Sequence, residues 1–287
     1  MQSAVLDWYA ANARDLAFRR TSDPWSVLVS EVIAQQTQAS RAAAAWERLI
    51  AEFPTPAELA AASPAAAIRA WRGLGYNRRA IALRAAAIAI VDEHGGVVPH
   101  EYEALTRLPG IGPYTARAVL AIAFDQPVAA LDTNIRRVLG RAFLGGEGAL
   151  PPRRLQATAD GFVPPARAAT WTHALMDVGA AFCRKRDPRC VACPLATHCR
   201  YLAAGRPTAA SKPVPARTKS FPATTRWLRG RILDRLRDAP GRTWVDFDVA
   251  IGEHSAASVA DHVARLAAEG LLEVHHRHPR RARLARS

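Results

Sequence analysis

The sequence predicts an all-α main body that carries a metal-binding cysteine loop and is followed by a small α+β appendage. Three observations lead there. From Val5 to Ala181, alanine-rich helical patterns alternate with Pro, Gly and Ser punctuation, and no period-two stretch is long enough for a sheet. All four cysteines, Cys183, Cys190, Cys193 and Cys199, fall in one short window. Beyond a proline-marked stretch the pattern changes to helices followed by two short strands flanking a basic tip, His275 to Arg280.

Helix starts are expected at Asp23-Pro24 and Ser63-Pro64, where a capping side chain precedes a proline in the first helical position, and at Asp132. Loops are expected at Gly73-Leu74-Gly75, Gly95-Gly96 and Gly145-Gly146. The helix from Trp25 places Leu28, Val29, Val32 and Ile33 on one apolar stripe, which leaves Glu31, Gln35 and Gln38 on a shared outward face. An off-stripe glutamate is ordinarily solvated. The adjoining Gln35-Gln36-Thr37-Gln38 changes that judgment, because four consecutive uncharged hydrogen-bonding side chains suit a surface that reads bases.

Leu108-Pro109-Gly110-Ile111-Gly112-Pro113-Tyr114-Thr115-Ala116 is a glycine turn opening onto an apolar helix. Gly110 and Gly112, on either side of Ile111, let the backbone approach a partner, and the exposed amides of the helix start form an anion site. Phosphate capture that anchors DNA without reading its sequence is the expected role. Further along, Asp132 precedes Thr133-Asn134, and Ile135, Val138, Leu139 and Phe143 form the next buried stripe. A carboxylate that caps helical amides is expected to have a lowered pKa, and its charge suits a developing cation.

The cysteines are spaced C-x6-C-x2-C-x5-C. A disulfide framework would spread them over distant loops. Zinc sites favour two closely spaced pairs, and here only Cys190 and Cys193 make one. One close pair with two wider arms suits a [4Fe-4S] cluster better, although ligand type alone allows both metals. After this 183–199 loop, residues 207–222 read as a linker, and 223–287 read as a second domain. There, a helix around Thr225 to Arg237, a helix capped by Ser255, and two strands, Leu271–Val274 and Arg281–Leu284, resemble a winged helix.

At 287 residues and 49% apolar content the chain can hold two domains with buried cores. Its formal charge of +14 makes a polyanion the default partner. The longest apolar stretches fall well short of the ~18 residues a membrane span needs. The start Met1-Gln2-Ser3 shows no export signal, so a cytoplasmic, bacterial protein with no membrane partner is expected.

Five motifs occur in the order seen in the endonuclease III superfamily: Glu31 to Thr37, Gly73-Leu74-Gly75-Tyr76, Leu108 to Ala116, Leu131-Asp132-Thr133-Asn134 and the cysteine loop. The chain resembles, over about residues 6–202, the adenine DNA glycosylases of the MutY type. The resemblance implies a helix-hairpin-helix DNA glycosylase fold over 1–206 and a [4Fe-4S] cluster. It also implies removal of adenine mispaired with 8-oxoguanine or guanine in double-stranded DNA, by a monomer. Glu31 would act as general acid and Asp132 would stabilise the sugar cation, with Tyr114 and Asn134 orienting them. Gln36, Thr37, Tyr76, the turn Gly110-Ile111-Gly112 and Arg19 would meet DNA. Tyr114 stands where lyases of the superfamily carry a Schiff-base lysine, which implies a monofunctional enzyme. Ala34, Thr133 and the Leu16-Ala17-Phe18-Arg19 stretch depart from the family pattern, and nothing after Ala223 looks like the Nudix-like domain that many members use to recognise 8-oxoguanine. Two alternatives are a glycosylase for another base, such as thymine opposite guanine, and a noncatalytic iron-sulfur DNA-binding protein.

Overall fold

The computed structural model describes residues 1–146, 150–206, 220–240 and 243–286. Among them run fourteen α-helices, short because capping residues and glycines punctuate the alanine-rich sequence. They are α1 (Gln2–Asn12), α2 (Pro24–Ala34), α3 (Ala39–Glu52), α4 (Pro56–Ala61), α5 (Pro64–Ala70), α6 (Arg78–His94) and α7 (Tyr102–Arg107). Then follow α8 (Pro113–Ala123), α9 (Thr133–Leu144), α10 (Pro152–Asp160), α11 (Ala168–Ala181), α12 (Arg200–Ala203), α13 (Thr225–Asp238) and α14 (Ala256–Ala268). The expected caps form. The Ser26 amide donates to Asp23 at 2.7 Å, the Ala66 amide to Ser63 at 3.2 Å, and the Ile135 amide to Asp132 at 2.6 Å. Gly95 and Gly145 close α6 and α9 in the left-handed region, at φ 61° and 78°.

Two compact units interleave along the sequence. The first holds the described residues of Met1–Glu31, Pro99–Arg107 and Ile111–Pro213; the second holds those of Val32–Val98, Leu108–Gly110 and Val214–Ser287. In the first, α8, α9 and α11 pack around Trp171, Leu175, Val178, Leu139 and Phe143, with α1 against α11 and α12 against α9. The second combines α3–α6 with the tail. Its strands β1 (Val245–Asp246), β2 (Leu272–His275) and β3 (His278–Leu284) form an antiparallel sheet in the order β1-β3-β2, with Leu272 opposite Leu284 and Val274 opposite Ala282.

The chain is thus an all-α body with a small winged-helix-like α+β tail. Two details differ from expectation. The strand β3 begins at His278, so part of the basic tip belongs to the sheet. The tail also does not pack by itself: Leu228, Ile232, Leu236 and Phe247 share one apolar cluster with Ala65 and Ile68 of α5. Arg237 ties the two together, donating to the Ile68 carbonyl at 3.0 Å and to Asn77 at 2.5 Å. Of the expected linker 207–222, residues 207–219 lie outside the described residues, and Phe221–Ala223 form a 3-10 turn.

Candidate active site

Glu31 sits on α2, and it is buried rather than outward-facing, at 7% exposure. The periodic stripe misled because α2 is covered on more than one side: Trp25, Val27, Leu28, Val29, Val32 and Ile33 are all buried. The carboxylate has one partner of evident purpose. The Tyr114 hydroxyl donates to Oε2 at 2.9 Å. Burial pushes Glu31 up to about 7; the Tyr114 hydrogen bond pulls down, the Asp132 charge pushes up, and Arg19 pulls down. Burial also raises Tyr114 well above the ordinary phenol value, so its hydroxyl keeps its proton and serves as a donor.

Asp132 is the N-cap of α9. Its Oδ1 accepts the Ile135 amide at 2.6 Å and its Oδ2 accepts the Asn134 side-chain amide at 3.1 Å. The expected lowered pKa is not found: burial raises it, and the Ile135 and Asn134 hydrogen bonds and Arg137 only partly offset that. Asn134 is itself held by Arg137, whose Nη2 donates to Asn134 Oδ1 at 2.7 Å and to the Gly179 carbonyl at 2.9 Å. Gly179 is where α11 must come close, since a Cβ there would lie 2.6 Å from the Asn134 Cβ.

Arg19, expected to meet DNA, is instead an internal ion-pair partner. Its side chain is only 7% exposed, and it grips Asp177 in a fork at 2.8 and 2.9 Å. Arg14 adds its Nε to the same carboxylate at 2.6 Å. Burial works to raise Asp177, but the two guanidinium groups hold it below the usual carboxylate range. Beside them His173 is kept neutral, lowered to about 3 by burial and by Arg19. Nothing in the local sequence pattern announces this cluster, because Arg19 and Asp177 lie 158 positions apart.

The glycine turn joins α7 to α8 as a helix-hairpin-helix. Gly110 has φ 77°, and a Cβ there would lie 2.8 Å from the Ala82 Cβ, so the position requires glycine twice over. Gly112 caps α8. Ile111 is 5% exposed and anchors the turn, leaving backbone rather than its side chain for a partner. In the second unit, Gln35-Gln36-Thr37 form a turn after α2 ends at Ala34, so Gln35 and Gln38 are not on a helical face. Thr37 donates to the Gln35 carbonyl at 3.3 Å. Gln36 and Tyr76 are exposed, and both adopt left-handed backbone, at φ 54° and 45°, unusual for side chains of this size. Arg79, not foreseen, staples the two turns. Its guanidinium donates to the Val32 and Gln35 carbonyls, both at 2.7 Å, and to the Gly75 carbonyl at 3.3 Å.

All four cysteines line one small pocket, of about 20 Å3, with Phe182, Pro188, Tyr201 and Leu202. Leu195, 1% exposed, anchors their loop in the first core. Arg141 points Nη1 at the Cys183 sulfur at 3.8 Å and at the Arg184 carbonyl at 2.7 Å. Burial pushes Cys193 up to about 11, and Cys183, Cys199 and Cys190 add to the effect, so the four sulfurs sense one another. Among the described residues no three His, Cys, Asp or Glu side chains converge on a single metal ion. Four sulfurs around one small, largely apolar pocket with a guanidinium donor fit an anionic iron-sulfur cluster.

Residues 29–165 match the model of the HhH-GPD superfamily of base excision DNA repair proteins. The adenine DNA glycosylase of Mycolicibacterium smegmatis is 44% identical over 237 residues, spanning 82% of this chain and 80% of that protein. This chain belongs to the adenine DNA glycosylases. That of Mycobacterium tuberculosis is 41% identical over 265 residues, 91% of this chain and 84% of the relative, so most of the tail is shared too. A thermostable thymine-DNA glycosylase of known structure superposes with a TM-score of 0.67 at 28% identity, over 71% of this chain and 95% of that one. As a member of this glycosylase family, the chain is a hydrolase of N-glycosyl bonds. No helix is long and apolar enough to cross a membrane.

Proposed function

We propose that this glycosylase removes adenine mispaired with 8-oxoguanine or guanine in double-stranded DNA, by hydrolysis alone, with Glu31 as general acid and Asp132 stabilising the sugar cation. The observation that carries this reading is the buried Glu31, held by Tyr114 and raised to about 7. Near neutral pH such a carboxyl keeps a substantial protonated fraction, and it gives up the proton readily. The adenine first leaves the base stack. Glu31 then delivers its proton to a ring nitrogen as the C–N bond breaks, and the bonding electrons leave with adenine. Positive charge develops on the sugar, opposite the hydrogen-bonded carboxylate of Asp132. Water adds to the sugar carbon, and its second proton restores Glu31. This division of work between two carboxylates is that of glycoside hydrolysis. Asn134 orients Asp132, and Tyr114, standing where a lysine would form a Schiff base, orients Glu31.

Gly110 and Gly112 offer backbone amides to phosphate, and Gln36, Thr37 and Tyr76 meet the duplex near the extruded base. Cys183, Cys190, Cys193 and Cys199 would hold a [4Fe-4S] cluster. When bound, it supplies a rigid clip for a basic loop. We also propose the organisation 1–206, 207–222 and 223–287 for glycosylase region, linker and winged-helix-like tail.

The test is to incubate the purified full chain, in excess, with duplexes carrying adenine opposite 8-oxoguanine, guanine or thymine, and thymine opposite guanine, then cleave abasic sites with alkali. Selective cutting of the adenine strand opposite 8-oxoguanine and guanine, with no adduct trapped by borohydride, is the expected outcome. Cutting only at thymine opposite guanine would overturn the assignment of substrate.

A further inference from the structure

The second unit contains a groove of about 880 Å3 that none of the proposed catalytic groups lines. One wall is the Gln35-Gln36 turn, Arg41 and the Gly73 to Arg79 loop; the other is Phe221 and the tail helix α13. Seven of its nineteen lining residues are arginines, against one carboxylate, Asp234. Four of the seven have internal work: Arg79 on carbonyls, Arg229 on Glu269, and Arg231 and Arg237 on Asp234. Arg41 and Arg226 enter no ion pair among the described residues. Five large hydrophobic side chains stand exposed among the described residues, and the two aromatic ones, Tyr76 at 45% and Phe221 at 55%, both line this groove. The Arg226 guanidinium lies over the Tyr76 ring, 4.6 Å from its centre, with Arg79 at 5.8 Å.

A groove rich in arginine, with exposed aromatic rings and a glutamine held in left-handed backbone, has the chemistry of a nucleic-acid strand track: cations for phosphate, rings for unstacked bases. On the reading above, Gln36 and Tyr76 of this groove meet the duplex; we propose that Arg226 of the tail is a positioning residue there, which fixes the Tyr76 ring and meets a backbone phosphate of the strand opposite the adenine. The tail then bears on which opposite base is accepted. The inference rests on the proposed adenine chemistry.

The experiment uses the full chain and Arg226→Gln, Arg226→Lys and Arg235→Gln; the last removes the same charge from an exposed position of α13 outside the groove. Single-turnover excision of adenine opposite 8-oxoguanine and opposite guanine is measured, along with emission of 2-aminopurine placed opposite adenine. Arg226→Gln is expected to lower the 8-oxoguanine-to-guanine rate ratio by about tenfold, as a cation–π and a phosphate contact are lost together, and to abolish the emission change on binding. Arg226→Lys should restore duplex affinity but not the full ratio, because an ammonium lacks the planar face. An unchanged ratio and unchanged emission in Arg226→Gln, or an equal loss in Arg235→Gln, would overturn the proposal. If the wild-type chain excises no adenine, the chemistry has been misassigned, and the emission change in wild type against Arg226→Gln still decides the groove.

Discussion

Glu31 shows what one residue costs the fold. Its folded pKa of about 7 lies above the unfolded value of about 4.5, so the folded state binds the extra proton between those values. Folding stability therefore falls as pH rises through this window, and the burial is without penalty below it. Glu31→Gln keeps the shape and removes the charge. It should unfold at higher urea than wild type at pH 8, by on the order of 3 kcal/mol, with the difference shrinking toward pH 5; equal stabilities at pH 8 would mean that Glu31 is not held in an apolar site. The sequence showed the glutamate and its motif but not its burial, since helical spacing records which neighbours are apolar and says nothing of how many sides are covered. Arg19 was expected at DNA through the family resemblance alone, and its internal partner Asp177 lies far away in the chain, where no local pattern announces it.

At the scale of elements, α9 links the catalytic proposal to the cysteine loop. Asp132 caps it, Asn134 holds Asp132, and Arg137 holds Asn134 while its Nε donates to the Cys183 carbonyl. Helix α11 closes on this chain at Gly179. Gly179→Ala should fold with a loss of about 1–3 kcal/mol from overpacking, yet slow single-turnover excision by at least about tenfold, because even a small misplacement of a catalytic group is costly. An unaltered rate would show that Asn134 does not position the carboxylate. The cysteine spacing and the glycine turn were legible because each requires particular residue types at fixed intervals. The staple made by Arg79 was not, since a guanidinium that satisfies helix-terminal carbonyls leaves no periodic trace. Cys193→Ser should purify without the visible thiolate-to-iron absorption, with less iron than the wild type's expected about four per chain, and with a lower melting temperature. Unchanged iron content would exclude Cys193 as a ligand.

The whole molecule carries a formal charge of +14, and its arginines are partly spent on internal pairs and carbonyls. The remainder should make duplex binding depend steeply on salt. Each phosphate neutralised contributes about −0.9 to the slope of log affinity against log salt, so Arg226→Gln should flatten that slope by about one unit, measurable by anisotropy from low to moderate salt. The tail was legible as a set of elements, because its helices and strands are locally patterned. Its docking on α5 was not, because Ala65 and Ile68 look like ordinary core residues until Ile232 and Phe247 meet them.

The most direct measurement is the single-turnover rate of adenine excision opposite 8-oxoguanine as a function of pH, for wild type, Glu31→Gln and Tyr114→Phe. For wild type the rate should fall as pH rises through the pKa of Glu31, about 7 in the free protein. In Glu31→Gln the rate should drop by about 10²–10⁴-fold, with no such limb. The Tyr114 hydroxyl stabilises the carboxylate, so its loss in Tyr114→Phe should move the limb to higher pH. A wild-type rate flat across this range, or Glu31→Gln excising adenine as fast as wild type, would contradict the assignment of Glu31 as the acid.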